Sequence, residues 1–137
     1  MTDADLLARV RADFDRQGVL RLFGATLDHV QPGAVDISVP FGADLAQHHG
    51  HFHGGVLATL LDVACGMAAL SLMPPGQGVV SAEFKLNFLQ PARGQTLVAQ
   101  GRVVRAGRLL TVCAGNAYAD GKHVALMQAT MAGVPQP

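Results

Sequence analysis

The stretch Gln47-His48-His49-Gly50-His51-Phe52-His53-Gly54-Gly55 runs into an apolar segment that carries a single acid, Asp62. Two adjacent glycines are poor helix formers. At a helix start, however, they leave the first backbone N–H groups sterically open, where the helix dipole adds positive potential. Such an opening suits an oxyanion, because a carbonyl could approach the Gly54 N–H with no side chain in the way. The same pair could also simply permit close packing of the helix end. Asp62 shifts the balance. A carboxylate in the middle of an otherwise apolar helix costs free energy unless it has a partner or a task. Gly55, Ala58, Thr59, Asp62, Gly66 and Ala69 share one helical face and are mostly small, so a second surface can approach closely there. Asp62 is expected to point at that surface rather than into the main core, the alternative being a core acid satisfied by local hydrogen bonds.

Spacing adds a demand. Gly54 and Asp62 are eight residues apart, about 12 Å along one helix axis. An attacking group and an oxyanion donor must both lie roughly 3 Å from the reacting atoms. One helix cannot supply both to the same carbonyl. Two antiparallel copies can, with Gly54 of one subunit facing Asp62 of the other across a two-fold axis. The chemistry therefore predicts a homodimer.

His48, His49, His51 and His53 invite a zinc reading, since imidazoles are common ligands. Four histidines within six residues of loop would need a tight wrap, and no cysteine lies nearby. The tract is a compositional signal only, and neither a metal nor a cofactor is expected.

The elements that must hold these groups follow from periodicity. Residues from Thr2 to about Gln17 read as an amphipathic helix (about 3–17). Thr2 is its cap, Asp5 lies three residues on, and Leu6, Leu7, Val10 and Phe14 fall on one stripe. Gly18 is expected to end it. Val19–Val30 and Ala34–Phe41 read as strands joined around Gln31-Pro32-Gly33. The histidine loop follows, and then a central helix over about 54–72, apolar on most sides and stopped by Met73-Pro74-Pro75-Gly76. Val80, Ala82, Phe84, Leu86 and Phe88 alternate with Ser81, Glu83, Lys85 and Asn87, a period of two that puts Ser81 on the polar face of its strand. Pro91-Ala92-Arg93-Gly94 reads as a turn. Gln95–Ala106, Arg108–Ala119 and His123–Met131 read as further strands in hairpin sequence, with Asp120-Gly121 a strong hairpin signal. The fold class is thus α+β, one antiparallel sheet of about six strands curled around one buried helix, in a single domain over 1–137.

Composition excludes more than it selects. Among 137 residues half are hydrophobic and 15% charged, so disorder is not expected. The formal net charge is zero, which gives no electrostatic case for nucleic acid. From Glu83 to Lys122 six basic residues stand against two acids. That bias could meet a phosphorylated small molecule or be a solvated sheet face. Cys65 and Cys113 sit in apolar runs and are expected to pack as small hydrophobes. The acidic N-terminus does not read as a secretory signal, and Gly54 to Pro75 does not read as a membrane span. A soluble, cytoplasmic protein with no membrane partner is the expectation.

His53-Gly54-Gly55 followed by Asp62, with Gly50 upstream, resembles the signature of hot-dog thioesterases of the phenylacetate-degradation (PaaI-like) group. Glu83-Phe84-Lys85-Leu86-Asn87-Phe88-Leu89-Gln90-Pro91-Ala92-Arg93-Gly94 is similar to that group's third-strand signature, and Gly101 to Arg108 matches its next hairpin. The resemblance covers roughly Ala34 to Val134. It implies a helix wrapped by an antiparallel sheet, dimers that pair into tetramers, and hydrolysis of acyl-CoA thioesters without a metal or bound cofactor. By position it implies Asp62 as nucleophile or general base and the Gly54 amide as the group polarising the carbonyl. His53 would shape the loop, Ser81 would orient the attacking water, and Gln47 stands where the group often has asparagine. Two other readings share the scaffold: a hydratase or dehydratase using His53 and Asp62, and a non-catalytic acyl-CoA-binding module. Release of free thiol separates hydrolysis from both.

Overall fold

A computed structural model describes residues 1–136; Pro137, the last residue of the expected domain, lies outside them. Helix α1 spans Asp3–Asp15 and begins with a capping box in which Thr2 Oγ1 accepts from the Asp5 N–H at 3.1 Å and Asp5 accepts from the Thr2 N–H at 2.9 Å. The bonds that the carboxylate accepts, from the Thr2 backbone N–H foremost and from the Thr2 hydroxyl at 2.8 Å, hold the Asp5 carboxyl below the usual carboxylate range. Leu6, Val10 and Phe14 form the buried stripe, whereas Leu7 is exposed, because the four-residue spacing leaves it off that face. Arg9 ties α1 to the end of the central helix, donating to the carbonyls of Met73, Pro74 and Gln77 at 2.6, 2.9 and 3.0 Å.

The expected strand over Val19–Val30 is corrected in its first half. Gly18 does not stop the helical region; Gln17 breaks it, and Gly18–Phe23 form a second short helix, α2, around the buried Leu20, with Leu20, Arg21 and Leu22 as its good helix formers. Gly24 ends α2 in the left-handed conformation at φ 69°, and strand β1 begins only at Thr26 (Thr26–Gln31).

Strand β2 (Ala34–Pro40) leads through the histidine loop to the central helix α3 (Gly54–Leu70), which is buried on most of its circumference. Strands β3 (Gln77–Phe88), β4 (Thr96–Ala106), β5 (Leu110–Ala119) and β6 (Lys122–Pro135) complete an antiparallel sheet of order β1-β2-β4-β5-β6-β3. This corrects the hairpin sequence expected for the last four strands. β3 pairs with β6 alone, and the chain from Leu89 to Gln95 crosses over to place β4 between β2 and β5. Alternation shows which side chains share a face, but it does not say which strand lies alongside.

The sheet curls over α3, and the two touch backbone to backbone. A Cβ on Gly101 of β4 would lie 2.2 Å from the Ala64 carbonyl oxygen, so only glycine admits the helix at that depth. The core is completed by Ile37, Leu57, Leu60, Leu61, Leu97 and Met127. Among the described residues no helix is long and apolar enough to cross a membrane.

Candidate active site

The loop before α3 is built to present a helix end. The Phe52 N–H donates to the Ala92 carbonyl at 3.1 Å, the His53 N–H donates to the Leu45 carbonyl at 2.8 Å, and the Phe52 ring, 2% exposed, meets Phe41 edge-on. His53 is the N-cap: its Nδ1 accepts from the Gly55 N–H at 2.8 Å. That bond satisfies one orphan donor of the first turn. The Gly54 N–H has no acceptor among the described residues and lies where the dipole of a 17-residue helix is most positive. A Cβ at Gly54 would lie 2.9 Å from Cζ of Phe88, so any side chain there has to displace the tip of that exposed ring. Gln47 Oε1 accepts from the His49 N–H, while the Gln47 N–H donates to the His51 carbonyl at 2.9 Å. Gln47, His51, Gly54, Leu57 and Phe88 line a pocket of about 320 Å³ beneath the crossing segment that carries Pro91 and Ala92.

Asp62 lies elsewhere. It is half-buried rather than enclosed, because the small-residue face is open over Gly55, Ala58 and Thr59 and closes only at Gly66 and Ala69. Ser81 Oγ donates to Asp62 Oδ1 at 2.5 Å. Alternation alone sets Ser81 on the polar face of β3, turned away from such a contact. A bulge between Ser81 and Glu83 supplies the correction: the register slips by one residue, so Ser81 opposite Met131 and Phe84 opposite Ala129 both face α3. Asp62 and Ser81 line a second pocket, of about 340 Å³, and no residue lines both pockets. Of the expected site residues, Gln47, His53 and Gly54 gather at one end of α3, and Asp62 and Ser81 gather at another point along it.

Two contributors were not among the expected site residues: Phe88, which alternation marks as apolar and the Glu83–Gly94 run includes without a role, and the end of α1, whose Asp13, Arg16 and Gln17 wall the Asp62 pocket. The rings of His48 and His49 are 4.1 Å apart and those of His49 and His51 6.4 Å. Among the described residues no group of three or more His, Cys, Asp or Glu side chains converges as a metal site. Cys65 and Cys113 are buried, and the Cys113 Sγ–H donates to the Cys65 carbonyl at 3.5 Å. Burial pushes the Cys65 thiol up to about 12, with the charges of Cys113 and Asp62 adding to it, and burial pushes the Cys113 thiol up to about 11.

The sequence model of the thioesterase superfamily matches residues 49–126, the span from the histidine loop into β6. A thioesterase family protein from Silicibacter pomeroyi superposes with a TM-score of 0.93 at 41% identity, covering 96% of this chain and 99% of its own. A Shewanella oneidensis protein related to the thioesterase superfamily gives 0.82 at 26% identity, over 94% of this chain and 95% of its own. The E. coli PaaI protein from the phenylacetic acid degradation operon shares the fold, with a TM-score of 0.88 at 21% identity over 98% and 96% of the two chains. The family model over more than half of the chain and the 41% identical structure agree, and the chain belongs to the thioesterase superfamily of hot-dog-fold hydrolases.

Proposed function

We propose that this protein hydrolyses acyl-CoA thioesters as a homodimer, with Gly54 of one subunit and Asp62 of the other acting on one carbonyl. The observation that carries the proposal is the separation of the two groups. Within a chain the open Gly54 amide and the Asp62 carboxylate occupy pockets with no lining residue in common, and each is half of a hydrolytic site. Three features support an antiparallel pairing of copies. Strand β3 is an edge, bonded only to β6. Its Val80, Phe84 and Phe88 are 47, 43 and 58% exposed, as an unfinished interface would leave them. The face of α3 that carries Asp62 is open beside it.

In this reading the acyl carbonyl accepts the Gly54 N–H. A water oxygen attacks the carbonyl carbon while Asp62 takes its proton, or the carboxylate attacks directly and water then opens the mixed anhydride. The electron pair of the C=O bond moves onto the oxygen held at Gly54, which is where the helix dipole is useful. Collapse of the tetrahedral species breaks the C–S bond, and the CoA thiolate leaves and takes up a proton. Ser81, bonded to Oδ1, leaves Oδ2 for the reaction and fixes the carboxylate's rotation. His53 holds the loop through its cap, and Gln47 offers its remaining amide N–H groups to the water or carbonyl side of the pocket.

The test is thiol release. Purified protein is expected to liberate free CoA from a panel of acyl-CoAs, and Asp62→Asn, folded and still oligomeric, is expected to lose nearly all of that turnover. Wild-type rates in Asp62→Asn remove Asp62 from the mechanism, and a monomer at assay concentration removes the shared site.

A further inference from the structure

The family match begins at residue 49 and so leaves α1 outside it, yet α1 closes one end of the pocket that holds Asp62. That pocket is a trough between α3 and β3, with Val63, Met67 and Val79 as apolar walls and Gly66 leaving room. Its closed end is polar. Asp13, whose side chain is 15% exposed, accepts from the Gln136 amide at 3.1 and 3.3 Å and pairs with Arg16. The pairing uses one guanidinium N–H out of five, and the Arg16 side chain remains 66% exposed. Gln17 makes one long bond from Nε2 to the Asp13 carbonyl, at 3.4 Å, and its Oε1 has no partner among the described residues. The trough thus ends in donors and an acceptor with spare capacity.

Resting on the thioesterase reading, we infer that the end of α1 sets acyl specificity: Gln17 and Arg16 form a polar stop that hydrogen-bonds a group at the far end of a compact acyl chain whose carbonyl lies at Asp62. The dimensions suit this. The pocket of about 340 Å³ has room for about ten heavy atoms at ~30 Å³ each. A plain aliphatic chain that fills it strips water from the half-buried Gln17 amide and gives nothing back, while the exposed Arg16 head stays hydrated and free to donate. A terminal hydroxyl replaces the lost bonds. Gln17 and Arg16 are specificity-determining residues in this account and take no part in the bond-breaking step.

Hexanoyl-CoA and 6-hydroxyhexanoyl-CoA differ by that one hydroxyl, and free-thiol release gives kcat/KM for each. The expected ratio, hydroxylated over plain, is about tenfold in the native protein, the value of one neutral hydrogen bond. It is expected to fall toward one in Gln17→Leu and in Arg16→Leu, both at the turn between α1 and α2. A native ratio at or below one overturns the inference without any variant, and so does a ratio that both variants leave intact. Failure to release thiol from either substrate or from any other acyl-CoA overturns the thioesterase reading itself, an outcome distinct from turnover without preference.

Discussion

Gly54→Pro deletes one hydrogen-bond donor and little else. Gly54 is the first residue of α3 and follows an N-cap, His53, at φ −64° and ψ 140°. That extended geometry is what a residue before proline adopts, and proline is favoured at the first helical position because its missing N–H bonds nothing within the helix. The new Cβ meets only the tip of Phe88, at 2.9 Å, and that ring is 58% exposed and free to swing aside. The helix is therefore expected to survive while the oxyanion donor is lost, at a cost of about 3 kcal/mol, or on the order of 10²- to 10³-fold in kcat. Asp62→Asn is expected to be inactive for the complementary reason. Mixed and allowed to exchange subunits, the two inactive proteins should regain activity. A hybrid dimer has one site with both native groups and one with neither. Random exchange makes about half of the dimers hybrid, so the mixture should reach about a quarter of the native rate. The assay is thiol release before and after exchange, with size-exclusion chromatography to confirm dimers. A mixture no more active than the sum of its parts refutes the shared site, because two groups serving a carbonyl from within one chain cannot complement.

Gly101→Ala should be strongly destabilising, since its Cβ would stand 2.2 Å from the Ala64 carbonyl oxygen; overpacking against backbone costs about 3 kcal/mol, read as a lower denaturation midpoint. The buried thiols give a pH signature. Cys65 is raised from 9.0 to about 12 and Cys113 from 9.0 to about 11, so above pH 9 the unfolded chain releases protons that the folded one retains. Stability should hold below pH 9 and decline from there toward pH 12, less steeply in Cys65→Ala, in denaturation followed across that range. Native protein at pH 8 should resist thiol alkylation until unfolded.

The parts of the fold set by local chemistry were legible: the Thr2/Asp5 capping box, the apolar central helix, and the antiparallel strands on either side of Asp120-Gly121. The Gly54 N–H without an acceptor among the described residues and the half-buried position of Asp62 midway along α3 also follow from local spacing. What escaped depends on contacts distant in sequence. Val19 to Phe23 has an apolar pattern too short for its period to be decided, and burial of Leu20 settles it as helix. The position of β3 beside β6 follows from how the sheet closes on α3, which alternation does not encode. The Ser81–Asp62 bond needs the bulge, and nothing in Val80 to Phe84 marks one. The α1 wall of the Asp62 pocket is a meeting of segments about fifty residues apart and leaves no local trace.

The bulge in β3 has a consequence of its own. Ser81, at one end of the strand, bonds the carboxylate, and Phe88, at the other, sets the tip of its ring against Gly54. In the proposed dimer those two groups belong to different catalytic centres, so every copy of β3 reaches into both. The one-residue slip lets an odd-numbered hydroxyl and an even-numbered ring lean toward the same helix. Each centre is then braced by a beam whose opposite end is anchored in its twin, and strain or ordering at one has a covalent route to the other.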